Sequence, residues 1–235
     1  MPSPRFITSA LNTFALLSLA TLVMAQQQGK PEDQPSPQTP QYNPPMRGAP
    51  ASRVGGGSRG IGNAATLAVI APDHTGLTLQ EQPTLYWYVS KKVPAHVEIT
   101  VIDDSSIQPL LEKTLDTSVG PGIQSLRLKD YGVTLKPDVE YRWHIAIVVD
   151  PNQRSNDTIA SGTIKRIVPS ASMKEILSRD QDSASVAAYA KEGIWYDAIA
   201  SLMNLMSASP SNDELQRQYG ALLNQVGLGQ ISNMR

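Results

Sequence analysis

The chain has 235 residues, 20 Lys+Arg against 21 Asp+Glu, a formal net charge of -1 and no cysteine. The near-neutral balance gives no bulk electrostatic drive toward nucleic acid or an anionic membrane. Without thiols, disulfides, thiolate catalysis, cysteine-ligated zinc and cysteine lipidation are all excluded.

Residues 1–25 carry one basic residue, Arg5, then an apolar run over 14–24 that ends in Val23-Met24-Ala25. This is the layout of a secretory signal peptide. The eleven positions of that run fall short of the roughly 20 residues a membrane span needs. The expectation is cleavage after Ala25, leaving an exported protein, periplasmic or secreted, with no transmembrane anchor. Both phenylalanines, Phe6 and Phe14, lie in the removed part, so the remaining core must be built without them.

Residues 26–65 hold seven Pro and seven Gly, a composition that favours a disordered tether. Its first part is Gln- and Pro-rich and reads as an extended spacer. Its second part has Arg47, Arg53 and Arg59 at spacings of six with no acidic residue between Gln34 and Pro72. Glycines that let backbone N–H groups converge, together with forked guanidinium donors, suit an anion- or peptide-binding arm. A solvated linker and an arm docked on its own domain are the competing readings.

A predominantly β domain is expected over 66–169. Seven runs alternate or are β-rich between turn residues: 67–71, 84–89, 96–102, 110–115, 124–128, 139–149 and 158–168. Their spacing suits a β-sandwich. In the sixth, Tyr141, Trp143, Ile145, Ile147 and Val149 share one face and Arg142, His144, Ala146 and Val148 the other, the period of a half-buried strand. Just ahead of it, Leu135-Lys-Pro-Asp-Val-Glu-Tyr141 resembles the tyrosine corner of fibronectin-type and immunoglobulin-like sandwiches. Trp87 would then face Trp143 across the core. Flat rings on these strands also allow a carbohydrate-binding reading, although alternating aromatics are usually core.

Polar candidates for chemistry are Asp73-His74-Thr75, the pair Asp103-Asp104, and His96 with His144. The aspartates read most simply as turn residues that accept backbone N–H groups. Calcium needs six to eight oxygens, and no others cluster in sequence with Asp103 and Asp104. No G-x-S-x-G elbow exposes a nucleophile, and the glycines of 55–62 do not sit between a strand and a helix. No catalytic residue, cofactor or metal is therefore assigned.

From residue 170 to 229 the period becomes helical. Ser172-x-x-Glu175 and Ser211-x-x-Glu214 read as capping boxes, a second helix spans 183–192 before Gly193, and a third buries Ala198, Ile199, Leu202, Leu205 and Met206. The fourth turns Leu215, Tyr219, Leu222, Leu223 and Val226 inward and ends at Gly227, and residues 230–235 are expected to be disordered. Tyr189, Gly193, Trp195, Ala198, Ile199, Leu202, Leu205 and Pro210 resemble one tetratricopeptide repeat. A lone repeat cannot bury a continuous core, so Trp195 or an apolar residue of the last helix is expected to meet the β domain.

Five segments resemble a bacterial family, the domain of unknown function 928. They are Tyr42-Asn-Pro-Pro-Met-Arg-Gly-Ala-Pro, Arg53-Val-Gly-Gly-Gly-Ser-Arg-Gly60, Pro72-Asp-His-Thr-Gly76, Glu81-Gln-Pro-Thr-Leu-Tyr-Trp-Tyr88 and Gly193-Ile-Trp-Tyr-Asp-Ala198. The resemblance implies an exported bacterial protein and carries no activity. The combined expectation is an immunoglobulin/fibronectin-like antiparallel sandwich followed by a small tetratricopeptide-like helical segment, acting as a noncatalytic module for a protein partner in the cell envelope. Arg47, Arg53, Arg59, Asp73, His74 and Trp195 are its candidate interaction residues. A ligand- or carbohydrate-binding sandwich and a hydrolase using Asp73, His74 and Asp103 are the alternatives.

Overall fold

Alternation of apolar and polar side chains dictates the strands, and turn residues cut them to length. A computed structural model describes residues 39–45, 53–55, 65–92, 95–103, 105–115, 120–177 and 183–232. The signal-peptide segment, Arg47, Arg59 and Asp104 lie outside these. The strands are β1 (Val54–Gly55), β2 (Leu67–Val69), β3 (Gly76–Thr78), β4 (Thr84–Val89), β5 (His96–Asp103), β6 (Leu111–Leu115), β7 (Gly122–Arg127), β8 (Glu140–Val148) and β9 (Thr158–Arg166). All seven expected runs are strands; β1 and β3 are additions.

The strands form two sheets, one ordered β1-β2-β4-β7 and the other β3-β9-β8-β5-β6. Every pairing is antiparallel except β3 with β9. Between β2 and β3 the chain leaves the first sheet for the second. The buried set includes Leu67, Val69, Leu85 and Trp87 from one sheet and Val97, Ile99, Trp143, Ile145 and Ile164 from the other. Trp87 and Trp143 are 2% and 0% exposed. They are not ring partners, because the ring contacts among the described residues both involve Tyr42. Trp143 instead points its Nε1–H at a helix residue, as described below.

Tyr141, the second residue of β8, behaves as its resemblance to a tyrosine corner implies. Lys136 N–H donates to the Tyr141 hydroxyl at 3.1 Å, so the ring is buried while its oxygen has a partner. Arg166 reinforces this corner by donating to the Leu135 carbonyl (3.1 Å) and to Glu81 (2.6 Å).

Five helices follow: α1 (Ala171–Leu177), α2 (Ser183–Lys191), α3 (Trp195–Ala208), α4 (Asp213–Gln225) and α5 (Gly229–Ser232). Each packs on the next, and α3 also packs on β3 and β4. Helices α2 and α4 stop in the same way. Gly193 and Gly227 adopt positive φ, both 74°. The following N–H reaches back five residues, Ile194 to Tyr189 at 2.9 Å and Leu228 to Leu223 at 2.8 Å. This is the Schellman motif, which needs a residue tolerant of the left-handed conformation and an apolar residue after it. Ile194 and Leu228 are fully buried.

Several sequence expectations need correction. Helix α1 starts at Ala171, which places position 172 inside it, and Ser170 is the residue that caps it, accepting from Met173 N–H at 3.3 Å. Asn212, not Ser211, caps α4, accepting from Glu214 and Leu215 N–H. Both shifts keep the cap chemistry, since any short oxygen-bearing side chain can fill that position. Leu205 and Met206 are only half-buried, because the second half of α3 extends past the surface that covers its first half. Residues 230–232 are helical, with Ile231 5% exposed, so burial of that side chain orders a stretch expected to be free. Residues 39–45 and 53–55 of the expected tether are held against the fold, for reasons that belong to the site.

Candidate functional site

The aromatic residue Tyr42 explains why that arm is held. It is the single aromatic residue within 26–65, and it is 6% exposed. Its ring stacks on His74 with centroids 5.8 Å apart and meets Trp195 edge-on at 5.0 Å. Aromatic burial of this kind supplies the apolar anchor that Pro and Gly cannot.

Around Tyr42 the arm also satisfies helix ends, where the last carbonyls lack intrahelical donors. Asn43 N–H donates to the Ala190 carbonyl at 3.1 Å and its side-chain amide to the Lys191 carbonyl at 3.0 Å, covering the end of α2. Arg53 donates to the Val226 carbonyl at the end of α4, which also sets a cation at the negative end of the helix dipole. Gln225 grips the arm from α4, accepting from Tyr42 N–H (2.7 Å) and donating to the Pro40 carbonyl (2.9 Å). Gly193 is glycine for a second reason here, since a Cβ would lie 2.6 Å from the Asn43 carbonyl.

A polar chain runs outward from the ring. The Tyr42 hydroxyl lies 2.9 Å from His74 Nε2, and His74 Nδ1 lies 3.0 Å from an Asp73 carboxylate oxygen. With a neutral imidazole, Nδ1–H donates to Asp73 and Nε2 accepts from the phenol. Burial, and then the Asp73 charge, push the Tyr42 phenol well above the usual range. The hydrogen bond from His74 holds the Asp73 carboxyl below its ordinary value, with help from Arg53. A phenol so hard to ionise serves as a donor and an apolar plate, not as a nucleophile.

The first turn of α3 drives three consecutive side chains into the sandwich. Trp195 Nε1–H donates to the Ile70 carbonyl at 3.0 Å. The Tyr196 hydroxyl donates to the Thr163 carbonyl at 3.0 Å and accepts from Trp143 Nε1–H at 2.9 Å. Asp197 accepts from Leu79 N–H at 3.1 Å. Burial pushes the Asp197 carboxyl up to about 6 against the opposing effect of bonds from Thr78, Leu79 and Gln80. Gly76 gives Tyr196 its space, because a Cβ there would sit 2.6 Å from the ring.

The structure thus brings Arg53, Asp73, His74 and Trp195 to one junction of arm, β2–β3 loop and helix. Asp103 is not part of it. Across the sheet, Asp103 lies opposite Tyr141, Tyr141 opposite Ile164, and Ile164 opposite Gly76, which is three strand spacings or about 14 Å. Its carboxylate accepts from Ser105 N–H and hydroxyl, at 2.8 and 2.6 Å, as a turn aspartate does. Among the described residues no group of three His, Cys, Asp or Glu could hold a metal ion, and no helix is long and apolar enough to cross a membrane.

A second feature lies along the opposite edges of the sheets. A cleft of about 930 Å³ is bounded by Lys113, Thr114 and Leu115 of β6, residues 123–127 of β7, Thr84 and Tyr86 of β4, and Met203, Asn204 and Ser207 of α3. Sequence reading missed both Tyr42 and this cleft. Tyr42 had a signal, as a lone aromatic among prolines and glycines. The cleft had none, because it depends on which strands end up at the sheet edges.

No curated protein matches the chain in a similarity search. The family model described as Domain of Unknown Function (DUF928) matches residues 54–235. With the match spanning most of its length, the chain belongs to the DUF928 family.

Proposed function

We propose that the chain is a noncatalytic, exported binding module whose rigid body presents the cleft beside β6, β7 and α3 to a protein partner in the cell envelope. The observation that carries this reading is the contrast in polar groups. At the junction Tyr42, His74 and Asp73 bond in a chain, and Trp195 and Tyr196 bond to main-chain carbonyls inside the fold, whereas around the cleft Lys113, Thr114, Ser125 and Arg127 are exposed. A catalytic site needs groups converging on space for a reacting atom; Tyr42, His74 and Asp73 converge on each other.

The immunoglobulin-like reading of the scaffold is supported by the strand order, by the crossing of the chain between sheets from β2 to β3, by the parallel β3–β9 pair and by the Tyr141 corner. The tetratricopeptide-like reading is supported by the α2–α3 pair, with Gly193 at the turn, Ala198 buried and Pro210 closing the unit, followed by α4. Export is inferred from the sequence of residues 1–25 alone. The carbohydrate reading loses its main support with Trp87 and Trp143 buried, and the hydrolase reading loses Asp103 to its distance.

Crosslinking the exported chain in its cell envelope, followed by mass spectrometry of the captured species, tests the proposal. A reproducible protein crosslink at cleft residues is the expected result. Crosslinks confined to the junction, or turnover of a substrate that depends on His74, would overturn it.

A further inference from the structure

The hydrogen-bond parity of β7 assigns the cleft a specific kind of occupant. Ile70 N–H donates to the Tyr86 carbonyl at 2.9 Å, so Tyr86, and by the period of two Thr84 and Tyr88, direct their main-chain groups at β2. Leu85, Trp87 and Val89 must then direct theirs at β7. Their partners there are Leu126, Gln124 and Gly122. Leu128, of the same parity, donates its N–H to the Pro83 carbonyl at 3.1 Å. It follows that Ile123, Ser125 and Arg127 turn their N–H and C=O groups away from β4, toward the sheet edge. Among the described residues no strand pairs with β7 on that side.

Those three residues all line the cleft, and so do Gln124 and Leu126 between them. Side chains alternate between the faces of a strand, so a wall containing every residue of 123–127 touches the edge of the strand and not one face. An edge with unpaired main-chain groups is a template for another strand. We infer that the β7 edge takes an extended peptide segment of a partner protein as an added strand, with acidic and apolar side chains at alternate positions. This rests on the reading of the chain as a binding module.

Three observations select that occupant. The lining charges are Lys113, Arg127 and Asp130, and Arg127 already pairs with Asp130 at 2.9 Å, so the excess is positive and favours an acidic residue. Tyr86, Ile123 and Met203 offer an apolar strip on one face of the new strand. The edge is flanked by β6 on one side and α3 on the other, and a strand from a second folded copy would bring its own neighbouring strands into that space. The chain's own residues 26–38 are a poor match, because Pro31, Pro35 and Pro37 lack the N–H that a ladder requires.

The test uses the full chain, isotopically labelled, and a capped peptide of alternating valine and threonine with two glutamates. Expected on binding is slowed amide exchange, by at least about tenfold, at Ile123, Ser125 and Arg127, with Gly122, Gln124 and Leu126 unchanged because β4 already protects them. Ser125→Pro removes only an outward N–H, a position where an edge strand tolerates proline, and is expected to abolish the effect with the native fold retained. If that variant does not fold, the alternating pattern in the wild type decides alone. Binding without alternation, or no binding of the peptide, overturns the inference. So does protection that rises with protein concentration, which would mean a second copy, or protection lost on deleting residues 26–38, which would mean the chain's own segment. An envelope partner captured equally by wild type and Ser125→Pro would leave the binding-module proposal standing and sink strand addition.

Discussion

The two sides of this sandwich are finished differently. On the side of β1, β2, β3 and β9, the arm and the first turn of α3 fill the gap between sheets, and each buried donor from Trp143, Trp195 and Tyr196 meets an oxygen. On the side of β6 and β7, both strands are edges and a cleft runs between them and α3. The difference teaches where to look for each property. Stability is concentrated where distant segments exchange buried hydrogen bonds, since unmaking one such bond strands its partner. On the proposed reading, recognition falls where main-chain groups are left facing outward.

The largest effect is expected from Trp195→Ala. It removes a fully buried ring together with the bond to the Ile70 carbonyl, so a loss of about 3–5 kcal/mol is expected in denaturant unfolding. A loss below about 0.5 kcal/mol, the range of surface substitutions, would show that α3 is not anchored through this residue. Next is Tyr196→Phe, which keeps the ring but leaves Trp143 Nε1–H and the Thr163 carbonyl unpaired, at about 1–3 kcal/mol for each stranded group. Tyr141→Phe strands one group only, the Lys136 N–H, and a loss of about 1–3 kcal/mol is expected. An unchanged unfolding midpoint would remove Tyr141 from the account of the corner.

Asp197 gives the junction a pH dependence of definite sign. Its folded-state carboxyl is raised from 3.8 to about 6 by burial, so the protonated form favours the fold. The contribution is fully present at acidic pH, below the ordinary carboxylate value, and is lost as pH rises through about 6. The raised value corresponds to about 3 kcal/mol between the two limits. Asp197→Asn, which retains an oxygen for the Leu79 N–H, is expected to stabilise the protein at pH 8 and to change it little at pH 4. Equal effects at both pH values in parallel unfolding curves would show that Asp197 does not carry the dependence. At the small end, Lys113→Glu at the cleft should change stability by no more than about 0.5 kcal/mol, and a larger loss would mean that the cleft wall is structural.

Legibility of the fold followed local periodicity. The alternation predicted correctly that Tyr141, Trp143, Ile145 and Ile147 are buried, but Val149, expected on the same face, lies past the end of β8 and is 58% exposed. The resemblance of 135–141 to a tyrosine corner anticipated a bond from the Tyr141 hydroxyl to upstream backbone, which the Lys136 N–H supplies. Strands β1 and β3 escaped notice because they are two and three residues long and contain glycine, too short for a period to show. At the junction, Asp73, His74 and Trp195 were singled out by residue type, but nothing in their spacing revealed that they meet. Their contact depends on Tyr42, which arrives from 32 positions before His74. The tether reading failed for residues 39–45 because average composition conceals the effect of a single large ring. On the other face of β8, read as the less buried side of a half-buried strand, Ala146 and Val148 are buried as well.

Native-state hydrogen exchange on the full chain tests the contrast between the two sides most directly. The account predicts that amides of α2, α3 and α4 and of the strands β2, β4 and β8 share one opening free energy, that of global unfolding. It also predicts that Ile123, Ser125 and Arg127 exchange almost as freely as an unfolded chain. Helices that open with the strands still protected, or slow exchange at those three edge residues without any partner, would contradict it.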